Sequence, residues 1–348
     1  MGEIERIRAV GLLSGGLDST LAGRIMLEQG IEIAALHVRT GFSFVERDRA
    51  VGSGLARPSD AERAAAMLGV PLEVIDVFDE YVPLVLHPRY GYGSGMNPCV
   101  DCRIFLLRKA KAWMGEHGYH FVFTGEVVGQ RPKSQMRPTL NTVERESGLR
   151  GYLLRPLSAK LLKPTVPEQR GWVDRGRLYG ISGRGRKAQI ALAEQFGIAD
   201  YPQPSGGCCY LIDQAYSRRL RDFLDHEGAE ALTREQVQLL AIGRHLRLPS
   251  GGKLVVGRRE RENDYLEMCG VAGFLLTTVD YPGPTTLVPG APARGEIEQA
   301  ARITAGYSDG RDEPAVRVEV RHDSGQRGLV EILTVVPMVP EEVQALMV

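Results

Sequence analysis

At 348 residues the chain is longer than one ordinary core organises, so two domains are expected. Apolar residues at 43% and charged residues at 25% are the mix of a globular protein and exclude a disordered or fibrous chain. Basic and acidic side chains number 43 each, so net charge alone points to no polyanionic partner.

In chain order, AVGLL at 9–13 is a short buried strand that runs into Ser14-Gly15-Gly16, and Ser19 to Glu28 has the composition of a helix. IEIAALHV at 31–38 is a second strand. Ser59 and Glu62 have the spacing of a capping box and open a helix that stops at Gly69. PLEVIDV at 71–77 is a third strand, 103–116 places apolar residues on one helical face, and HFVFT at 120–124 is the next strand. Strands alternating with helices require a parallel sheet covered on both faces. From about 125 to 185 the pattern loosens into Gly, Pro and basic residues. Helices follow at 187–198, 214–226 and 233–242, the last capped by Thr233. Beyond Pro249 the style changes to KLVVG, GFLLTTV, AVRVEV and LVEILTVV, with one helix at about 295–305, which reads as a separate α+β domain.

Charge is unevenly spread. Between Arg150 and Lys187 stand ten basic residues against Glu168 and Asp174, and Arg244 to Arg261 carries six against Glu260 alone. Such clusters suit a phosphate-facing surface, or else a solvated face whose acids come from neighbouring segments. The first residues lack a secretory cleavage pattern, and no apolar stretch reaches the roughly 20 residues of a membrane span, so a cytoplasmic home without membrane contact is expected.

Ser14-Gly15-Gly16-Leu17-Asp18-Ser19 follows a buried strand and opens a helix. Its glycines let backbone approach a phosphate, the helix start offers N–H groups, and Ser14 and Ser19 add hydroxyls. It lacks the lysine of a Walker-type loop, which favours cleavage between the α and β phosphates of ATP, with Asp18 placed to hold Mg²⁺ on the departing pyrophosphate. This stretch resembles the PP-loop ATP pyrophosphatases, which adenylate a carbonyl or carboxyl oxygen. Thr124-Gly125-Glu126, Gly129-Gln130 and Ser134-Gln135 are similar to a motif of the tRNA 4-thiouridine synthetases. Asn97-Pro98-Cys99 through Cys102, with GGCC at 206–209, resembles the cysteine pattern of the tRNA 2-thiouridylase and of iron–sulfur-dependent thiolases. The likeness spans about residues 5–212. It departs from the 4-thiouridine synthetases at Arg131 to Lys133, and neither their amino-terminal RNA-binding extension nor their rhodanese domain is found.

Five cysteines, two of them adjacent, are an intracellular set of ligands or reactive thiols rather than a disulfide framework. Cys99, Cys102 and Cys208 are the expected catalytic trio, with Cys209 as an alternative to Cys208. They would hold a 4Fe-4S cluster with one iron open to sulfide, or carry a persulfide, or bind zinc. Asp101 is an acid–base candidate. His37, Gly125 and Glu126 are candidates to contact the nucleotide, since ligands gather at strand ends in open α/β sheets. Cys269 reads as a packing residue. After residue 245, KLVVGRRERENDYL is similar to the small RNA-binding domain of the NFACT proteins through Gly257, Arg258 and Asn263.

Together these readings imply a parallel-sheet PP-loop domain over 1–212, a helical linker over 213–248, and an α+β domain over 249–348. They imply an ATP- and Mg²⁺-dependent tRNA sulfurtransferase making thiouridine, with sulfur from a cysteine desulfurase or inorganic sulfide. The rival is a PP-loop enzyme adenylating a small molecule.

Overall fold

The computed structural model describes residues 6–43, 58–202, 208–323 and 327–348. Two compact units emerge: Met1–Thr40 with Arg57–Cys208, and Gly41–Ala56 with Cys209–Val348. The segment 213–248, expected as a linker, therefore belongs to the second unit, because its helix buries Tyr216, Leu220 and Phe223 there.

In the first unit β1 (Arg8–Leu12), β2 (Glu32–Arg39), β3 (Leu72–Asp76), β4 (Phe121–Thr124) and β5 (Leu153–Leu154) form an all-parallel sheet in the order β3-β2-β1-β4-β5. Helices α1 (Leu17–Glu28), α2 (Asp60–Leu68), α3 (Phe78–Leu86), α4 (Cys99–Glu116), α5 (Arg137–Glu146) and α6 (Lys187–Gln195) connect and flank it. Leu17, Leu21 and Ile25 of α1 pack with Phe121, Phe123 and Leu192 on one face. Val100, Ile104 and Leu107 of α4 pack with Val10, Leu36 and Val122 on the other. A strand with both faces covered must be apolar throughout, which is why Ala9 and Val10 are both fully buried.

The helix ends follow local chemistry. Ser59 Oγ accepts from the Glu62 N–H at 3.2 Å while the Glu62 carboxylate accepts from the Ser59 N–H, and Gly69 closes α2 at φ 67°. α4 begins four residues earlier than its apolar periodicity indicates, at Cys99, so the C-x-x-C pair forms its first turn. Within the stretch expected to be irregular, α5 is a regular helix with Pro138 in its first turn, where the missing N–H costs nothing.

The second unit is a six-stranded antiparallel sheet in the order β11-β10-β8-β9-β7-β6. Its strands are β6 (Arg244–Arg247), β7 (Lys253–Val256), β8 (Gly273–Thr278), β9 (Thr286–Pro289), β10 (Val316–Asp323) and β11 (Arg327–Val335). A helix at Arg294–Gly306 buries Ile297, Ala300 and Ile303 against Leu276, Val318 and Leu333. Another at Glu260–Met268 sets Tyr265 and Leu266 against Val255, Leu275 and Leu287, and Cys269 packs in that cluster. Among the described residues no helix is long and apolar enough to cross a membrane.

Candidate functional site

The strand order reverses between β1 and β4, and a parallel sheet opens a crevice at the carboxyl ends of its strands at such a point. β1 ends at Leu12 and leads into Ser14-Gly15-Gly16; β4 ends at Thr124 and leads into Gly125-Glu126. Both stretches therefore occupy the switch point.

The glycine turn is shaped by what surrounds it. Gly15 has φ 80°, and a Cβ there would lie 2.1 Å from the Asp60 carbonyl carbon, so no side chain fits. Ser14 Oγ and Ser19 Oγ are 3.2 Å apart, the Ser19 and Thr20 hydroxyls donate to the Gly16 carbonyl at 2.9 and 3.1 Å, and no side chain caps the start of α1. The amide groups of that turn point to an anion, as helix amino termini do. Gly125 is a packing glycine: its Cβ would meet the Asp18 carbonyl carbon at 2.4 Å, so its lack of a side chain lets the end of β4 touch the first turn of α1. His37 is tied through Nδ1 to the Leu13 carbonyl at 3.0 Å and braces the same corner.

Asp18 is half-buried in the turn. Gln130 Nε2 donates to its Oδ2 at 3.0 Å, while Oδ1 is buried with no hydrogen-bond partner. Burial pushes its carboxyl above the ordinary range, against the pull of the Gln130 amide and of the Arg186 and Arg131 guanidiniums. An orphaned buried carboxylate oxygen beside an anion-binding turn fits a divalent cation such as Mg²⁺, which would supply the missing partner. The spacing of the sequence did not single out Gln130, Arg131 or Arg186 for this corner.

Arg103, in the first turns of α4, lies 3.3 Å from Glu126 just past β4, which places the start of α4 near the carboxyl end of that strand. The first turn of α4 presents Cys99 and Cys102. Asn97, buried, donates from Nδ2 to Cys99 Sγ at 3.0 Å and accepts from Gly95 N–H at 2.9 Å through Oδ1. Cys102 is hydrogen-bonded by Tyr81, and burial, helped by the neighbouring Cys208 and Cys99, pushes its thiol up to about 12. Cys208 lies within electrostatic reach of both Cys102 and Arg103, so the Arg103 guanidinium feels the charge of all three cysteines. Cys209 falls in the second unit, beside Tyr216, so it is Cys208 that joins the set. Gly206 and Gly207 lie outside the described residues.

Asp101 is not a free acid or base: its Oδ1 accepts from Arg89 N–H at 3.1 Å and its Oδ2 from Tyr90 N–H at 3.0 Å, which fastens the loop before α4. The 4Fe-4S cluster or zinc expected of the thiols finds no support: among the described residues no three His, Cys, Asp or Glu side chains are gathered as metal ligands.

Glu126 does not face the nucleotide turn's phosphate side either. It is buried, accepts from Arg155 Nε at 2.9 Å and from Thr124 Oγ1 at 3.2 Å, and lies 3.3 Å from Arg103 Nε. Burial alone would raise its carboxyl, but Arg155 and Arg103 hold it below the usual glutamate value. Arg103 in turn stays more firmly protonated than usual; burial opposes its charge, and Glu126 with the three cysteines outweighs burial. A continuous path thus runs from Asp18 through the Gly125 contact to Glu126, Arg103 and the thiols.

The expected basic surface at 150–187 is partly spent inside the fold. Arg155 pairs with Glu126 and Glu144, Arg175 with Glu168, Arg177 donates to the Glu28 carbonyl, and Lys160 donates to the Gly176 carbonyl at 2.9 Å. In the second unit Asn263 Oδ1 accepts from Thr285 N–H at 3.1 Å and fills the space above Gly257, while Arg258 donates to the Gly243 carbonyl and its own N–H to Glu262. These three residues carry the family likeness by shaping a loop.

A lysine-free phosphate turn at the switch point of a parallel sheet, with thiols on the adjacent helix, defines a PP-loop nucleotide-binding domain. Residues 7–167 match the family described as tRNA methyl transferase HUP domain, and residues 243–347 match NFACT protein RNA binding domain. The tRNA-specific 2-thiouridylase of Symbiobacterium thermophilum is 26% identical over 266 residues, 70% of this chain and 62% of that protein; the chain thus spans less than two thirds of that relative. The enzyme of the same name from Roseiflexus castenholzii is 27% identical over 350 residues, 91% of this chain and 92% of its own. A solved 4-thiouridine synthetase–RNA complex with bound ATP is 22% identical, covering 55% of this chain and 41% of that one, with a TM-score of 0.35. The first unit thus resembles the HUP domain over residues 7–167, and the second resembles the NFACT RNA binding domain over 243–347.

Proposed function

We propose that the protein is an ATP-dependent tRNA sulfurtransferase that adenylates a uridine carbonyl and replaces its oxygen with sulfur. The observation that carries this reading is the path from the phosphate turn at Asp18 through Gly125 and Glu126 to Arg103, which feels the charge of all three cysteines. The uridine oxygen attacks the α-phosphorus of ATP and pyrophosphate leaves; Mg²⁺ held by Asp18 would neutralise the departing charge. A uracil oxygen is a poor leaving group, and adenylation turns it into AMP.

The donor set favours a persulfide. Cys208 is the exposed thiol and receives the sulfane sulfur from a cysteine desulfurase or inorganic polysulfide. Its terminal sulfur attacks the activated carbon and AMP departs. The Cys102 thiol then attacks the inner sulfur, its proton passing to the base as the S–S bond breaks; the C–S bond stays with the base, and a Cys102–Cys208 disulfide remains for an external thiol to reduce. Arg103 stabilises negative sulfur at each stage.

The test is mass analysis of tRNA nucleosides from a deletion strain complemented with wild-type or Cys208→Ser protein. One thionucleoside should vanish on deletion, return with wild type and stay absent with C208S, while C208S still releases pyrophosphate from ATP in the presence of tRNA. A thionucleoside profile unchanged by deletion removes tRNA as the substrate.

A further inference from the structure

A cavity of about 450 Å³ opens in the first unit between α5 and the segment that follows β5, and its lining includes none of the phosphate-turn residues or the thiols. It is within the size range of ligand-binding clefts, about 300–1,000 Å³. Its lining holds two acids, and both are satisfied inward. Glu144 accepts from Gly151 N–H at 2.9 Å and from Arg155 at 3.2 Å. Glu168 accepts from the Thr165 N–H and hydroxyl at 2.7 and 2.6 Å and pairs with Arg175. The cations are not balanced in the same way. Arg137, Arg150 and Lys163 line the cavity, are exposed, and make no ion pair or hydrogen bond among the described residues.

The floor is preformed, because buried Arg155 is locked between Glu126 and Glu144. The lining contains no aromatic ring, so a base has nothing to stack on. Beside it a shallower depression of about 660 Å³ shares Arg145 and balances its cations with Glu116 and Glu146, the latter paired with Arg145, so the unpaired positive rim belongs to the cavity itself. A rim of forked and point cations without aromatic rings suits a chain of phosphodiesters better than one small anion.

We propose that this cavity, with Arg137, Arg150 and Lys163 on its rim, is a seat for the sugar-phosphate backbone of the RNA substrate, separate from the residues that hold ATP. The inference rests on the RNA reading given above and adds the place of contact. Such contacts set orientation without reading sequence, and each one neutralised phosphate adds to the salt dependence of binding.

The experiment compares full-length wild type with the triple variant Arg137→Gln, Arg150→Gln, Lys163→Gln. Affinity for bulk tRNA is measured by fluorescence anisotropy over a salt series, and affinity for ATP alone is measured separately. The three side chains are exposed, so the melting temperature should not change. The slope of log affinity against log salt should fall by about two to three, and affinity near 0.1 M salt by roughly 10²-fold, with ATP binding unchanged. An unchanged slope and affinity in the variant, with wild type binding tRNA normally, overturns the site and leaves the sulfurtransferase reading standing. A parallel loss of ATP affinity also overturns it, assigning the cavity to nucleotide phosphates. Failure of wild type to bind tRNA at any salt overturns both readings together.

Discussion

Replacing Arg155 by Met removes one charge from a buried network while keeping much of its volume. Arg155 is 3% and Glu126 2% exposed, and their Nε–Oε2 distance is 2.9 Å. Breaking a buried pair by deleting one partner costs about 3–5 kcal/mol, since the other charge is left without compensation. Arg103 still lies 3.3 Å from Glu126 on the far side, which places the expected loss near the lower end, about 3 kcal/mol. Both tryptophans, Trp113 and Trp172, lie in the first unit, so urea unfolding followed by their fluorescence reads that unit alone. Because Glu126 is held below its ordinary value of 4.5, its contribution is fully present above that pH and is lost as pH falls through the lowered value. The variant should therefore lose stability most near neutrality and show a flatter acid limb. Adding Glu126→Gln should recover only part of the loss, because it removes the uncompensated carboxylate but also takes from Arg103 its partner. A loss under about 1 kcal/mol for Arg155→Met at pH 7, or a double variant as unstable as the single, would refute the network's role.

Asp18→Asn should lower pyrophosphate release by about 10²-fold or more with ATP still bound, because a neutral amide holds Mg²⁺ poorly; equal rates at saturating Mg²⁺ would contradict the assignment. Gly125→Ala drives a methyl group to 2.4 Å from the Asp18 carbonyl carbon, and a loss of about 1–3 kcal/mol with slowed adenylation is expected by urea titration and pyrophosphate assay. In the second unit, Lys253 is buried with its ammonium lacking a hydrogen bond, and burial brings its pKa down to about 8. A lysine depressed in the folded state binds fewer protons there than unfolded, so this unit should gain stability between about pH 8 and the ordinary 10.5, and Lys253→Met should raise its calorimetric melting temperature at pH 7 and abolish that gain.

The phosphate turn and its flanking strand and helix are readable in the residues because local rules set them: an apolar run, glycines without room for side chains, then a helix former. The capping box at Ser59 is readable for the same reason. α3 is hidden by Pro83 inside it, and α5 by Pro138 and its charged composition, although a proline in a first turn is compatible with a helix. Asp101 shows what spacing cannot reveal. Its position inside C-x-x-C suggests chemistry, yet both oxygens turn back to a loop twelve residues earlier, a decision made by tertiary packing. Charge counting likewise cannot separate Arg155, consumed in the core, from Arg150, five residues earlier and unpaired.

The two residues after β4 set a limit on redesign. Gly125 must stay bare to admit α1, and the next residue must be an acid to restrain Arg103 beside the thiols. A thiol turn transplanted from a relative would arrive without its restraint unless Glu126 and Arg155 travelled with it. The site is accordingly a set of contacts drawn from separate stretches of chain, and a chimera cut between them would part Arg103 from the carboxylate that restrains it.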